Sequence, residues 1–258
     1  MIKYALLPAL VLLPAPLLSA QSLNTRTPTS IGVVMPDRAV ILAAKIVGRV
    51  ETVNVDEGDY VEAGEIMIDI EDAELRAELS AAQARLKREE LNRAYMKKLA
   101  VRIQNLYDNN AASAENLDEA TFKYSATEEL VESAKAAVEK ARAQLSETKI
   151  KAPFSGIIIE KRTEPGDVTS PGEPLLILED HGTLKFRTSV QEKDVPLISK
   201  GQKITITIDA LNDLELKATV TKVIPSGNTS THEFIVEAVL PAQDRLYPGM
   251  FGKATFSR

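Results

Sequence analysis

The chain has 258 residues, a net charge of −6, an apolar fraction of 44% and only 5% aromatic residues. The acidic balance, with no run of Lys or Arg, argues against a nucleic-acid partner. The chain contains no Cys, which excludes disulfides, thiolate metal sites and cysteine catalysis. This composition favours long Ala-rich helices and small β modules over one large core.

The first twenty residues are typical of a secretory signal. Lys3 supplies a positive charge, and residues 5–18 form an apolar stretch that ends at small residues before Gln21. An uncleaved membrane anchor is the alternative, but the apolar stretch is shorter than the ~20 residues that span a bilayer. We therefore predict a cleaved signal peptide over residues 1–20 and an exported mature chain.

Two segments, residues 45–72 and 149–180, repeat one pattern of glycines at an offset of 108 residues. Glycines at fixed spacing indicate tight backbone turns, and apolar residues alternate between them as in short strands. We therefore predict that the two segments are halves of one small β-sandwich, separated by an insertion. The predicted turn glycines are Gly48, Gly58 and Gly64 in the first copy, and Gly156, Gly166 and Gly172 in the second.

The insertion, residues 73–148, is predicted to be a helical hairpin, since no Gly or Pro interrupts it. In its second half, large residues recur every seven positions from Leu117 to Leu145, as in a coiled-coil seam. Its first half is less regular, because Glu89 and Arg93 interrupt the apolar positions. Each helix would span about 35 residues and roughly 50 Å. An arm of that length is expected to reach a partner.

The hairpin turn is predicted at residues 108–113. Asn tolerates the left-handed conformation that ends a helix. Ser113 followed by Glu115 is typical of a helix N-cap with a negative charge in the first turn. The turn places the tip of the hairpin at the far end of the arm.

The remaining residues, 31–44 and 181–258, are predicted to form an all-β barrel domain. The second segment contains five or six short strands in about 75 residues, which suits a small barrel. The first segment reads as strand, turn and strand around Pro36. The predicted fold class is therefore α+β, modular and elongated, with a long antiparallel α-helical hairpin inserted in a split β-sandwich and followed by a small β-barrel.

Three motifs carry a family resemblance: the run from Lys151 to Gly156, the turn from Glu164 to Asp167, and the ending from Leu246 to Phe251. On these motifs, nearly the whole mature chain resembles the periplasmic adaptors, or membrane fusion proteins, of tripartite efflux systems (the HlyD-like superfamily). The resemblance implies that the half-motifs pair into a lipoyl-like β-sandwich. It also implies that the hairpin docks on a TolC-type outer-membrane channel, and that the barrel faces an inner-membrane transporter.

The resemblance carries further expectations about assembly and location. It implies a periplasmic protein that associates with the inner membrane through its transporter, without a cofactor, a metal or an enzymatic activity. It implies self-association into a ring, with a hexamer expected, and a transporter of the RND type is favoured over an ABC transporter. Many members carry a membrane-proximal domain built from both chain ends, which is expected to be absent here.

The spacing of Arg102, Leu106 and Ser113 is similar to the tip motif of adaptors that engage TolC-type channels. Leu106 would insert between channel helices, Arg102 would offer fixed hydrogen-bond donors, and Ser113 is small enough for close approach. The alternative is that Leu106 packs in the seam, Ser113 caps a helix and Arg102 is solvated. The position at the turn of a long hairpin favours docking.

Two other function classes stay open from the residues alone. A lipoyl- or biotin-type carrier component of an enzyme complex shares the half-motif fold, but the arm replaces the turn that would present a modified Lys. An adaptor of an ABC-type or type I secretion exporter differs only in its transporter. Catalysis is disfavoured, because His181 and His232 are distant in sequence and neither has a nucleophile or ligand cluster nearby.

Overall fold

The computed structural model describes residues 27–225 and 232–256, so the predicted signal at residues 1–20 lies outside the described residues. The elements in chain order are β1 (Thr29–Pro36), β2 (Ala39–Ala43), β3 (Gly48–Val53), β4 (Tyr60–Val61), β5 (Ile66–Ile70), α1 (Ala73–Asp108), α2 (Ala114–Ser146), β6 (Lys149–Lys151), β7 (Gly156–Lys161), β8 (Val168–Thr169), β9 (Pro174–Glu179), β10 (Leu184–Gln191), a 3-10 helix (Glu192–Leu197), β11 (Lys203–Ile208), a second 3-10 helix (Asp209–Leu211), β12 (Leu214–Val223), β13 (Glu233–Val239) and β14 (Phe251–Thr255). A helical hairpin, a sandwich of two sheets and a closed barrel confirm the predicted α+β fold class.

The sandwich consists of two four-stranded sheets with the orders β2-β9-β7-β4 and β6-β5-β3-β8. Each sheet contains strands from both copies of the repeat, so neither copy forms a sheet alone. Alternating apolar side chains of the two sheets meet in one buried core. Its largest fully buried side chains are Met67, Ile68, Ile70, Ile158, Leu175, Leu176 and Leu178.

The two copies of the repeat exchange equivalent hydrogen bonds. The N–H of Gly58 donates to the carbonyl of Ile158 at 2.8 Å, and the N–H of Gly166 donates to the carbonyl of Val50 at 2.9 Å. Each donor and each acceptor in the second bond matches one in the first at the same 108-residue offset. The sandwich therefore has an approximate two-fold relation between its halves.

The repeat glycines serve two different purposes. Four of them have positive φ angles, as predicted for tight turns: Gly58, Gly64, Gly166 and Gly172. The prediction of a turn is wrong for Gly48 and Gly156, which are the first residues of β3 and β7. At these two positions an added Cβ would collide with Ile70 and with the Glu179 carbonyl oxygen, respectively. Close packing of another strand, rather than a turn, requires glycine there.

The segment 31–44 divides between two modules, which corrects the prediction that all of it belongs to the barrel. β1 pairs with β10 and β14 in the barrel, whereas β2 pairs with β9 in the sandwich. The chain crosses at residues 37–38, and Val40 and Leu42 then pack against the sandwich core. It crosses back at residues 180–183, where the N–H of Asp37 donates to the carbonyl of Thr183 at 3.0 Å.

The barrel closes in the order β1-β10-β13-β12-β11-β14. Alternation along β11 decides which side chains fill it: Ile204, Ile206 and Ile208 are buried, and Thr205 and Thr207 are not. A second apolar core fills the barrel and is separate from the sandwich core. The β modules therefore have independent cores, and no residue of the hairpin belongs to either.

The hairpin helices α1 and α2 contain 36 and 33 residues, or roughly 54 and 50 Å at ~1.5 Å per residue. α2 buries a seam of small and β-branched residues: Ala120, Thr127, Val131, Ala134, Val138 and Ala141. In the described structure no residue of α1 is buried. The longer side chains of α1 cover this seam and stay half-exposed. Within the described ranges, neither helix is apolar enough over its length to cross a membrane.

Candidate functional site

The tip of the hairpin is an ordered turn. α1 ends at Asp108, and Asn110 takes the left-handed conformation with φ of 59°. The N–H of Asn110 donates to the carbonyl of Tyr107 at 2.9 Å, and the N–H of Ala111 donates to that of Leu106 at 2.7 Å. These bonds satisfy carbonyls that a helix end leaves without partners. The turn therefore holds the surrounding side chains in a defined arrangement.

Ser113 caps the start of α2, as predicted. Its hydroxyl oxygen accepts from the N–H of Asn116 at 3.2 Å, and the amide oxygen of Asn116 accepts from the N–H of Ser113 at 3.3 Å. The Ser113 hydroxyl also donates to this amide oxygen at 2.7 Å. This is a capping box in which Asn takes the place of the usual Glu or Gln. Sequence reasoning identified the cap and missed its reciprocal partner.

Arg102 and Leu106 lie one helical turn apart on an outer face of α1. The Leu106 side chain is 40% exposed, and the neighbouring Tyr107 is exposed to the same degree. Arg102 is exposed and forms no ion pair within residues 27–225 and 232–256. Ser113 is exposed at the start of α2. The structure thus brings all three motif residues to the surface near the tip, with Leu106 outside the buried seam.

Polar side chains of both helices lie near the interruption of the seam at Glu89 and Arg93. Glu89 accepts from Arg88 at 2.8 Å, and the Tyr124 hydroxyl donates to Glu128 at 2.6 Å. The hydrogen bond to Glu128 raises the pKa of Tyr124, and the positive charge of Arg93 opposes this shift. Glu89 is therefore paired within α1, and the charge of Arg93 acts on Tyr124 of the other helix.

Sequence analysis missed the apolar side chains that face outward from both helices. On α1, Leu91 and Tyr95 are 62% and 63% exposed, and on α2 Phe122 is 74% exposed. The spacing of these residues is visible in the sequence, but a seam pattern identifies only the inward positions. Single apolar side chains are common on protein surfaces, so these three residues do not by themselves assign a partner.

The junction between sandwich and barrel carries a second polar cluster. The guanidinium of Arg38 donates to the Asp180 carboxylate at 2.6 Å and stacks over the ring of Phe154, with 4.4 Å from its carbon to the ring centroid. Partial burial raises the pKa of Asp180, but the hydrogen bonds from Arg38 and from a backbone N–H outweigh burial and lower it. Arg38 in the first chain crossing therefore contacts both Asp180 in the second crossing and Phe154 of the sandwich.

The two histidines lie in different places, and each contacts one carboxylate. His181 contacts Glu179 at 3.1 Å beside the junction, and His232 lies 3.5 Å from Glu192 at the edge of the barrel. No cluster of three or more His, Asp or Glu residues that could hold a metal ion occurs in the part of the chain that the structure describes. The hairpin tip is the site that the geometry favours.

Two family models match the chain. Residues 38–180 match the CzcB-like barrel-sandwich hybrid domain, and residues 186–258 match the CusB-like β-barrel domain. An uncharacterized protein of Haemophilus influenzae is 30% identical over 86% of this chain and 55% of its own length. The multidrug resistance protein MdtA of Xenorhabdus bovienii is 25% identical over 67% of this chain and 42% of its own length. The chain spans about half the length of these relatives.

Solved structures share the fold. The membrane fusion protein Spr0693 of Streptococcus pneumoniae superposes with a TM-score of 0.72 at 15% identity, covering 89% of this chain and 99% of that one. A MacA–MexA chimera carrying the Pseudomonas aeruginosa MexA α-hairpin superposes with a TM-score of 0.67 at 23% identity, covering 89% of this chain and 80% of the chimera. At these identities the likeness concerns the fold.

Proposed function

Because the chain belongs to the family of the CzcB-like barrel-sandwich hybrid domain, within the membrane fusion proteins, we propose that it is the periplasmic adaptor subunit of a tripartite efflux pump. In this proposal the hairpin tip binds a TolC-type outer-membrane channel, and the barrel end meets an inner-membrane transporter. An RND-type transporter is favoured over an ABC transporter. The chain acts by structural coupling and carries out no chemistry itself.

One observation carries this proposal: a long arm presents an ordered and exposed tip. The arm begins and ends in the sandwich, and its roughly 50 Å length takes the tip far from both β cores. Among the described residues, Leu106 keeps 40% of its surface exposed. A turn this well hydrogen-bonded positions the docking residues Arg102, Leu106 and Ser113 before a partner arrives, which reduces the entropy lost on binding.

The energy available at one tip is small, which favours several tips acting together. Fully burying a Leu side chain is worth about 1.5–3 kcal/mol, so covering the exposed part of Leu106 would contribute about 1 kcal/mol. Linked tips bind far more tightly than a single one, since each later contact is intramolecular. This supports the proposal that the chains assemble as a ring, and we propose a hexamer.

The relatives support the same reading. MdtA is named a multidrug resistance protein, and Spr0693 is a membrane fusion protein. A carrier component is less well supported, because a carrier needs a short turn with a modified Lys where this chain has α1 and α2. The proposed location is the periplasm, reached through the cleaved signal predicted at residues 1–20.

The proposal is tested by substitution at the tip. Leu106→Asp and Arg102→Asp are expected to abolish efflux complementation and site-specific cross-linking to the channel, without changing helicity or melting temperature. Ala84→Asp is the matched control, since Ala84 is exposed and lies on the same face of α1 nearer the sandwich. Unfolding of the hairpin by Leu106→Asp, or undiminished cross-linking, would show that the tip is not the docking site.

A further inference from the structure

The sandwich has one edge strand that is longer than the others. The described barrel is closed and has no edge, whereas each sheet of the sandwich has two. Three of these four edge strands, β4, β6 and β8, contain only two or three residues, but β2 contains five. An edge strand presents a row of unpaired N–H and C=O groups to which another strand can bind. β2 is therefore the position in the described fold where an additional strand fits best.

One side of β2 has no partner strand. The N–H of Asp180 donates to the carbonyl of Arg38, and the N–H of Ala44 donates to the carbonyl of Glu173, both at 2.9 Å. The direction of the backbone hydrogen bonds alternates along an antiparallel strand, so the N–H and C=O groups of three residues between these two point away from β9: Ala39, Ile41 and Ala43. Within residues 27–225 and 232–256, no other strand pairs with that side. These groups are available to a strand of another molecule.

β2 lacks the features that usually protect an edge. Residues 39–43 contain no Pro and no charged side chain, and the Ile41 side chain is 60% exposed. On the outer face of the sheet, Ile41 lies opposite Ile177 of β9, which is half-buried. The irregularity in the pairing with β9 falls between Leu42 and Ala43, so residues 39–42 form a regular ladder. An apolar and regular edge of this kind favours pairing with a further strand.

We propose that β2 pairs antiparallel with β2 of a second copy of this chain, about a two-fold axis at Ile41. In this arrangement Ile41 of one copy faces Ile41 of the other, and Ala39 of each copy faces Ala43 of the other. Their outward N–H and C=O groups form about six interchain hydrogen bonds, since each hydrogen-bonded antiparallel pair exchanges two. One sheet of each sandwich then continues into the other copy. This inference goes beyond the proposed function and does not depend on it.

The sequence around β2 is complementary to itself, which favours a second copy as the occupant over an unrelated extended segment. The two-fold axis brings Asp37 of one copy opposite Lys45 of the other, so opposite charges flank the paired strands at both ends. Between these positions no two like charges face each other. The contact is isologous, because the same surface of both copies meets, and it therefore closes at a dimer.

Single cysteine substitutions test the contact, because the chain has no Cys of its own. In purified Ile41→Cys the two substituted residues face each other with Cα atoms about 5.5 Å apart, a spacing that suits a disulfide. Mild oxidation is expected to give a disulfide-linked dimer and no larger species. Ile159→Cys is the matched control and should stay monomeric, since Ile159 is 42% exposed on the outer face of the same sheet but lies in the interior strand β7.

Ala39→Cys and Ala43→Cys test the register. Neither variant alone is expected to form dimers, because the two copies of either residue lie roughly 14 Å apart along the strands at ~3.4 Å per residue. An equal mixture of the two variants is expected to form mixed dimers, since Ala39 of one copy faces Ala43 of the other. Dimers from Ala39→Cys alone at the yield of the mixture would overturn the register, and with it the two-fold axis at Ile41.

Analytical ultracentrifugation of the chain without added cysteines measures the association itself. A monomer–dimer equilibrium is expected, and Ile41→Lys should weaken it at least tenfold, because two like charges would then face each other at the centre of the contact. Ile159→Lys adds the same charge to the interior strand and should leave the equilibrium unchanged. Circular dichroism checks that both variants fold. Monomers at every concentration, or equal weakening by Ile159→Lys, would overturn the proposal.

Discussion

Replacing the cap of α2 separates the structural role of Ser113 from its proposed contact with the channel. Ser113→Ala removes the hydroxyl oxygen that accepts from the N–H of Asn116 at 3.2 Å. Loss of a Ser N-cap costs about 0.5–2 kcal/mol, typically ~1 kcal/mol. A loss of ~1 kcal/mol increases the local opening constant about fivefold. Because the tip is remote from both β cores, we expect local fraying rather than global unfolding.

Hydrogen exchange of the amides in residues 110–120 measures this opening. Ser113→Ala is expected to reduce their protection about fivefold, with the protection of the sandwich and barrel unchanged. Ser113→Asp keeps an acceptor and adds a negative charge at the helix N-terminus, so protection should be retained. If Ser113→Asp retains the protection of these amides but loses cross-linking to the channel, Ser113 contacts the channel as well as capping the helix.

Two results would refute this reasoning. A reduction in protection below about twofold in Ser113→Ala would mean that the hydrogen bond contributes less than the known range for caps. Equal fraying in Ser113→Asp and Ser113→Ala would mean that the side-chain acceptor is not what stabilises the first turn. Asn116→Ala provides a further comparison, because it removes the amide oxygen that accepts from the N–H and the hydroxyl of Ser113 but leaves the bond from the Asn116 N–H to the Ser113 hydroxyl.

Three other perturbations follow from the fold. Gly156→Ala should lower stability to urea more than Gly166→Ala does. A Cβ at position 156 would collide with a backbone carbonyl, whereas a Cβ at position 166 would enter open space. The cost at position 166 is then only that of an unfavourable φ, about 1–2 kcal/mol. Replacing residues 73–148 with a short flexible loop should preserve the β circular-dichroism signal, since neither β core contains a residue of the arm; loss of that signal would contradict separate modules. The pKa of Asp180 is lowered from 3.8 in the folded chain. The ion pair of Asp180 with Arg38 therefore stabilises the fold above pH 3.8, and this stabilisation is lost as the pH falls through the folded pKa. Arg38→Ala should therefore destabilise the chain at about pH 7 more than at about pH 2, and equal melting-temperature shifts would refute the assignment.

The fixed offset of the glycines made much of the sandwich predictable. Gly58 and Gly166 recur at the same place in both copies because each needs a positive φ, whereas the same recurrence at Gly48 and Gly156 reflects close packing. The strand β2 was assigned to the wrong module, because alternation at Val40 and Leu42 shows that a face is buried without showing which sheet buries it. Only the pairing of β2 with β9 decides that, and such pairing joins residues far apart in sequence.

At the candidate site, residue type and spacing predicted the cap and the exposure of the tip. Ser113 was recognised because N-caps depend on neighbouring residues in sequence. The role of Asn116 was missed, since its amide completes the capping box less commonly than Glu or Gln does.

The attachment of the arm determines how a force applied at its tip would reach the rest of the molecule. α1 leaves the sandwich from β5, and α2 returns to the adjacent strand β6; the N–H of Ile70 donates to the carbonyl of Thr148 at 2.8 Å between them. Lys45, from the first half, also pairs with Glu147 at the end of α2 at 2.7 Å. A pull at the tip is therefore divided between two neighbouring strands of one sheet. Detaching the arm would require both strands to leave together, so bending of the slender arm is an easier response to mechanical load than separation from its base.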